Sequence, residues 1–145
     1  MSRFKMIRCY LHVGVLDTYK MQVLELYTPD RKKVEIRVIN EADFCKKRCY
    51  EEIEPINAVD DDATILERWT NIMNQYKISK ANNENWEYDA GGEFYKQKLN
   101  CENVAEWVMT GITLAPLGIW SVWLKKYLGI NVHDFRLGGS SFSSS

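Results

Sequence analysis

Histidine is scarce in this sequence, which has His12 and His133 and no others among its 145 residues. Any chemistry that needs an imidazole must therefore use one of these two side chains. An excess of charge of either sign is also lacking, because 19 lysines and arginines stand against 20 aspartates and glutamates. No basic stripe interrupts this balance, so the composition gives no indication of nucleic-acid binding.

The N-terminus lacks the succession of charged, apolar and small residues that marks a secretory leader. We therefore expect a cytoplasmic protein. Because cysteines in that compartment stay reduced, we expect thiols rather than disulfides at all four of them, namely Cys9, Cys45, Cys49 and Cys101. With 46% hydrophobic and 27% charged residues, the chain has the composition of one folded domain with its own core.

Strand patterns dominate the N-terminal part. Residues 4–16 are rich in β-branched and aromatic side chains and are predicted to form one strand, with 21–27 as a second strand after a turn. The apolar residues of 34–39 alternate with Glu35 and Arg37, which predicts a third strand and an antiparallel meander. Residues 41–53 are ambiguous, and a short helix is favoured there.

Two helices are predicted in the C-terminal part. Acidic residues at 60–62 can cap a helix over 63–78, whose apolar residues share one face: Ile65, Leu66, Trp69, Ile72, Met73 and Tyr76. After a polar loop at 79–93, a second helix is predicted from Cys101, with Asn100 as its N-cap and Gly111 as its end. Strands followed by helices indicate an α+β fold, an antiparallel sheet with helices packed on it.

The residues at 107–124 carry no charge, although a proline and a glycine interrupt the run. Trp120 and Trp123 precede a pair of lysines, a composition typical of a membrane-interface anchor. A helix that closes the core, or a contact with a second copy of the chain, is the alternative. We therefore expect three parts: a folded domain at 1–111, a hydrophobic segment at 112–130 that contacts a membrane surface through 112–127 or a second copy of the chain, and a flexible tail at 131–145.

The first turn of the second predicted helix makes Cys101 a candidate nucleophile. Unpaired backbone N–H groups at a helix N-terminus stabilise a thiolate, which is the reactive form of cysteine. His12, within a predicted strand, is the better of the two histidines as its base, because His133 lies beyond the uncharged run. A buried cysteine without chemistry is the alternative.

A zinc site is a competing use of the other cysteines together with His12. Cys9 and His12 are an odd number of positions apart within one predicted strand, so their side chains should point to opposite faces. Cys45 and Cys49 could share a helix face, where core cysteines also occur. We therefore predict no metal ion and no other cofactor.

Four stretches resemble the lecithin:retinol acyltransferase-like proteins, also called H-box/NC proteins. NCENVAEWVMTG (100–111) is similar to the NCE signature of that family and the glycine that follows it, and HVGV (12–15) is similar to its H-box. ILERW (65–69) and FYKQKLNCE (94–102) are similar to the family in order and spacing. The resemblance covers roughly residues 8 to 124.

This resemblance implies a permuted papain-like fold related to NlpC peptidases, and a thiol mechanism. The cysteine of the family attacks an acyl ester, forms a thioester and passes the acyl group to an amine, an alcohol or water. By position, Cys101 would be the nucleophile, His12 its general base and Glu25 the residue that orients the imidazole, where the family often has a second histidine. A solvent-facing strand carboxylate is the other interpretation of Glu25.

The expected function is that of a membrane-associated lipid acyltransferase or phospholipase A-type acyl hydrolase, with a lipid acyl ester as substrate. The chain departs from the family motif at Asn103, where a histidine is usual, and at Ala105, where a larger apolar residue is usual. Picornavirus 2A-type proteins carry both motifs. The alternative is therefore a catalytically silent protein of that kind in a host cytoplasm, which binds a host protein, a membrane, RNA or a second copy of itself.

Overall fold

The computed structural model describes residues 2–46, 49–88 and 98–112. Within them, five antiparallel strands form one sheet in the order β4-β3-β2-β1-β5, made of β1 (Phe4–Cys9), β2 (His12–Asp17), β3 (Gln22–Tyr27), β4 (Glu35–Asn40) and β5 (Glu51–Ile53). The described helices are α1 (Glu41–Phe44), α2 (Asp62–Ala81) and α3 (Cys101–Thr110). Two short parallel strands, β6 (Glu87–Tyr88) and β7 (Lys98–Leu99), form a second pair. The predicted α+β class, with helices packed on an antiparallel sheet, is confirmed.

The predicted strand at 4–16 is two strands, β1 and β2, joined by a two-residue turn at Tyr10 and Leu11. Tyr10 has a left-handed φ of 58°, a conformation that tight hairpin turns require and that usually selects asparagine or glycine. Because the sequence has neither residue here, its pattern does not indicate the reversal. Cys9 and His12 are register partners across the two strands. They therefore face the same side of the sheet, and the prediction of opposite faces is wrong.

Both faces of the sheet are covered, which explains the nearly continuous apolar runs of its central strands. One face, called the helix face, packs against α2 and α3 through alternate residues such as Val13, Val15 and Leu24. The opposite face, called the α1 face, has a smaller apolar cluster: Ile7, Leu16, Val23, Phe44 and Cys45. Because strand side chains alternate, His12 lies on the α1 face together with Leu16.

Both predicted helices are confirmed, with different limits for the first. α2 begins after Asp61, whose side chain accepts a hydrogen bond from the Thr64 N–H at 2.8 Å, and it continues into the predicted loop at 79–93. Ile65 is fully buried whereas Leu66 is 39% exposed, so the packed stripe is narrower than predicted. The ambiguous segment at 41–53 contains both the short helix α1 and the edge strand β5.

Cys9 and Cys45 form a disulfide with their Cα atoms 5.8 Å apart, so the prediction of four thiols is wrong. The bond joins the end of β1 to the residue after α1, two points 36 positions apart in the sequence, and the folded sheet is what brings them together. Cys49 and Cys101 are free thiols. No group of three or more potential metal ligands occurs within the described residues.

Among the residues that the structure describes, no helix has the length and apolar character needed to cross a bilayer. The predicted hydrophobic segment at 112–130 lies outside the described residues from position 113 onwards, as does the predicted tail at 131–145. Membrane contact through 112–127 therefore stays a prediction.

Candidate active site

α3 is a buried helix that holds Cys101 at its first position. All of its residues are buried, and it packs against β1, β2 and β3 on the helix face. Gly111 ends the helix in the left-handed conformation with φ of 77°, as the sequence predicts. Close packing leaves a buried helix little freedom to shift, so the core fixes the position of the Cys101 sulfur.

Asn100 and Asn103 form a reciprocal capping box at the start of α3. The Asn100 side chain accepts from the Asn103 N–H at 2.7 Å, and the Asn103 side chain accepts from the Asn100 N–H at 3.2 Å. Both residues are fully buried. Asn103, a departure from the family motif, thus stabilises the helical turn that carries Cys101.

His12 and Glu25 lie on neighbouring strands of the α1 face. Gly14 is opposite Glu25 in the β2–β3 register, which puts Glu25 diagonally across from His12. The Nε2 atom of His12 and the Oε1 atom of Glu25 are 2.7 Å apart. Because Glu25 is 3% exposed, the interpretation of Glu25 as a solvent-facing carboxylate is wrong.

Arg37 is a second partner of Glu25 that sequence reasoning did not identify. It lies directly opposite Glu25 in the β3–β4 register, and its Nε donates to Oε2 of Glu25 at 2.7 Å. The guanidinium also stacks on Tyr27, 3.8 Å from the centre of the ring. The alternation in 34–39 separates Arg37 from the apolar residues of its strand, but the register between strands is needed to pair it with Glu25.

Cys101 meets His12 at the turn between β1 and β2. The Cys101 thiol donates a hydrogen bond to the carbonyl oxygen of Leu11, the residue before His12, at 3.5 Å, and interaction with the Cys101 side chain raises the pKa of His12. Because Nε2 of His12 contacts Glu25, Nδ1 is the ring nitrogen left for the sulfur. The structure therefore brings all three predicted site residues into one chain of contacts, from Cys101 through His12 to Glu25.

Contacts within the site shift the pKa values of His12 and Glu25 so that both side chains are charged at neutral pH. Burial, the largest single influence on His12, lowers its pKa, but hydrogen bonding and electrostatic attraction involving Cys101 and Glu25 outweigh burial and raise the pKa from 6.5 to about 9. Burial likewise opposes ionisation of Glu25, yet the bonds from His12 and Arg37 lower the pKa of that carboxyl. At neutral pH the centre of the site is thus an imidazolium held by a carboxylate.

Phe44 of α1 covers the imidazole. Its ring stacks on His12, with centroids 5.1 Å apart and 25° between the planes. Gly14 makes room for the ring, because a Cβ there would lie 2.9 Å from Cε1 of Phe44 and 2.7 Å from Cγ1 of Val23. Sequence reasoning missed Phe44, since nothing in the local pattern of 41–53 relates it to His12.

A cleft of about 800 Å³ opens beside these residues. This volume falls within the range of about 300–1,000 Å³ that is common for small-molecule sites. Its lining includes three kinds of side chain: the site residues Cys101, His12, Glu25 and Arg37, apolar residues such as Leu11, Ile39 and Phe44, and the charged residues Arg31, Lys46 and Asp43. The cleft therefore places apolar surface and positive charge next to a thiol and an imidazole.

Comparisons of the chain with protein-family models, with curated proteins and with solved structures found no match.

Proposed function

We propose that the protein is a cysteine-dependent lipid acyltransferase or phospholipase A-type acyl hydrolase that works through a thioester intermediate. The observation that supports this proposal is the chain of contacts from Cys101 through His12 to Glu25 in the wall of the cleft. A thiol, an imidazole and an orienting carboxylate in this order are the groups that nucleophilic acyl transfer needs. The H-box/NC motifs, and the permuted papain-like topology expected from them, belong to the same proposal.

In the first half-reaction, the Cys101 thiolate attacks the carbonyl carbon of the ester and forms a new S–C bond. The tetrahedral intermediate collapses with cleavage of the C–O bond, and the His12 imidazolium gives its proton to the departing alkoxide. The products are an acyl thioester on Cys101, a neutral imidazole and the released alcohol. N–H groups in the first turn of α3 are suitable donors for the oxyanion of the intermediate.

In the second half-reaction, neutral His12 removes a proton from the acceptor as the acceptor attacks the thioester carbonyl. The C–S bond breaks, the Cys101 thiolate leaves, and the imidazolium forms again. Glu25 holds the other ring nitrogen throughout and balances the positive charge. Water as acceptor makes the protein a hydrolase, whereas an amine or alcohol makes it a transferase.

Lipid esters are the proposed substrates because of what surrounds the sulfur. Leu11 and Ile39 give the cleft apolar surface for an acyl chain, and Arg31 gives it a positive charge that suits an anionic head group. Contact of 112–127 with a membrane, proposed from the sequence alone, would bring the cleft to such a substrate.

The test is acylation of the sulfur. We expect folded wild-type protein to release p-nitrophenol from a short-chain p-nitrophenyl ester and to carry an acyl adduct on Cys101, detected by peptide mass spectrometry. Cys101→Ala should lose both signals. Cys49→Ser, which removes the exposed free thiol, is the matched control and should keep both.

The contrary result is also informative. If wild-type protein with a cooperative unfolding transition gives neither p-nitrophenol nor an adduct, the enzymatic proposal is wrong. The catalytically silent 2A-type binding protein would then be favoured.

A further inference from the structure

The helix α1 covers the imidazole through Phe44 and is held to the sheet by packing, hydrogen bonds and a disulfide. Phe44 stacks on His12, and Tyr50 packs edge-on against Phe44 with centroids 6.3 Å apart. The Tyr50 hydroxyl donates to Oε2 of Glu41 at 2.8 Å. The covalent tie is the disulfide of Cys45, the residue after α1, with Cys9.

This disulfide lies next to the candidate active site. Cys9 is the register partner of His12, so the bond and the imidazole are neighbours on the same face, and both line the cleft. Cys45 directly follows Phe44 in the chain. Breaking the bond would therefore free the residue adjacent to the ring that covers His12.

The short helix has little stability of its own. α1 has four residues, and its N-cap side chain makes no capping hydrogen bond. Isolated helices shorter than about 12 residues are marginal in water, so α1 depends on what holds it to the sheet. Without the disulfide, the described ties that remain are the Phe44 packing, the Tyr50–Glu41 hydrogen bond, the hydrogen bond from the Glu41 N–H to the Met21 carbonyl at 2.9 Å, and the direct connection of α1 to the end of β4.

We propose that the Cys9–Cys45 disulfide is a redox-controlled positioning device for His12. In the oxidised protein the bond holds Phe44 on the imidazole and the site is competent, whereas reduction releases α1 and slows acyl transfer. The effect on rate rests on the function proposed above, but the effect on His12 does not. Cys9, Cys45 and Phe44 are positioning residues that act through His12.

The reductant is a low-molecular-weight thiol. Its thiolate attacks one sulfur of the Cys9–Cys45 bond, that S–S bond breaks, and a mixed disulfide forms while the other cysteine takes up a proton. A second thiol molecule then attacks the small-molecule sulfur of the mixed disulfide, and the protein cysteine leaves and takes up a proton, which gives two protein thiols and the oxidised dimer of the small thiol. Cys9 is half-buried and lines the cleft, which gives such a molecule a route to the bond.

Two measurements on the same samples test this proposal: the pH titration of His12 by NMR and the turnover of the short-chain ester. The samples are oxidised protein and protein treated with dithiothreitol and then desalted. In the wild type, reduction should expose two further thiols, displace the His12 titration and lower turnover by about tenfold or more, the scale of rate loss that misplacement of a reacting group causes.

Three variants separate the disulfide from general effects of reduction. Cys45→Ser should resemble reduced wild type whether or not it is treated. Phe44→Leu keeps the disulfide but removes the stacked ring, so it should be slow in both redox states. Cys49→Ser changes an exposed cysteine outside the bond and should respond to reduction as the wild type does.

The proposal is overturned if reduction exposes the two thiols without displacing the His12 titration, or if Cys45→Ser titrates as the oxidised wild type does. If the Cys45→Ser protein folds poorly, the comparison of oxidised with reduced wild type decides the proposal by itself. Absence of turnover in oxidised wild type would refute the proposed function, while the His12 titration would still decide the positioning role of the disulfide.

Discussion

At the scale of single residues, Glu25 and Asp17 are two buried carboxylates of one sheet that hold different partners. Each is 3% exposed and each is paired with an arginine, but Asp17 lies at the opposite end of β2 from His12. We expect Glu25→Gln to reduce ester turnover by about tenfold or more, because the imidazole loses the carboxylate that orients it. Asp17→Asn should destabilise the fold and leave turnover per folded molecule unchanged.

Turnover normalised to the folded fraction, taken from urea unfolding, checks this prediction. The pKa of His12 should also fall in Glu25→Gln, because the hydrogen bond and the charge of Glu25 are among the causes that raise it. Equal normalised turnover in the two variants would give Glu25 a purely structural role.

The two free thiols provide a second comparison between residues. Cys49 is exposed and Cys101 is buried, so accessibility alone favours modification of Cys49. Pairing with His12 favours modification of Cys101 instead, because the thiolate is the form that reacts. We expect limiting iodoacetamide at neutral pH to label Cys101 first, as mapped by mass spectrometry, and His12→Gln to abolish the preference. Faster labelling of Cys49 in the wild type would argue against an activated sulfur.

At the scale of secondary structure elements, the sequence predicts best those features that local chemistry determines. The limits of α3 follow from Asn100 and Gly111, whose capping roles depend on neighbours in the chain. The Tyr10–Leu11 turn and the edge strand β5 depend instead on pairing with strands that the local pattern does not specify.

The residues of the candidate site fall into the same two groups: those that the sequence predicts, and those that depend on contacts between distant elements. Cys101 follows from its position at a predicted helix N-terminus and His12 from the scarcity of histidine, whereas Glu25 follows from the resemblance to H-box/NC proteins. Arg37 requires the β3–β4 register, and the partners of Cys9 and Phe44 require the position of α1 over the sheet. Contacts between distant elements are set by tertiary packing, and one sequence read by periodicity does not contain that information.

The capping box gives a prediction at this scale. Asn103→Ala removes the acceptor for the Asn100 N–H and should lower the free energy of unfolding by about 0.5–2 kcal/mol, the usual cost of losing a cap. Asn74→Ala makes the same change at an exposed position inside α2, where alanine is the better helix former, so it should be neutral or slightly stabilising. Urea unfolding of both variants measures the difference, and equal effects would show that the cap contributes nothing.

At the scale of the whole molecule, the site exists only when distant parts of the chain have packed together. Cys101 contacts the Leu11 carbonyl across 90 positions of sequence. α3 is held from another direction by Glu106, which is fully buried and accepts hydrogen bonds from the N–H groups of Ile56 and Asn57 at 3.1 and 3.2 Å. Burial raises the pKa of Glu106 despite these bonds. The carboxylate thus fastens the loop before α2 to the helix that carries the sulfur.

The raised pKa of His12 makes the stability of the whole protein depend on pH. The pKa rises from 6.5 to about 9, so between these values the folded state keeps a proton that the unfolded state releases. The contribution of His12 is therefore complete below about pH 6.5 and is lost as the pH rises through about 9. The pKa of Glu106 is also raised, so its contribution to stability likewise falls as the pH rises. A variant is therefore needed to isolate the contribution of His12.

We expect the free energy of unfolding of the wild type to fall between about pH 6.5 and about pH 9, and to fall less in His12→Gln, where the titrating group is gone. Urea unfolding without reductant at several pH values in this window measures both curves and keeps the Cys9–Cys45 bond intact. His133→Gln is the matched control for loss of a histidine, and it keeps the wild-type dependence if His12 is responsible. Parallel curves for wild type and His12→Gln would mean that the imidazole gains no proton affinity on folding, and the contacts of His12 with Glu25 and Cys101 would then contribute nothing to the charge of the site.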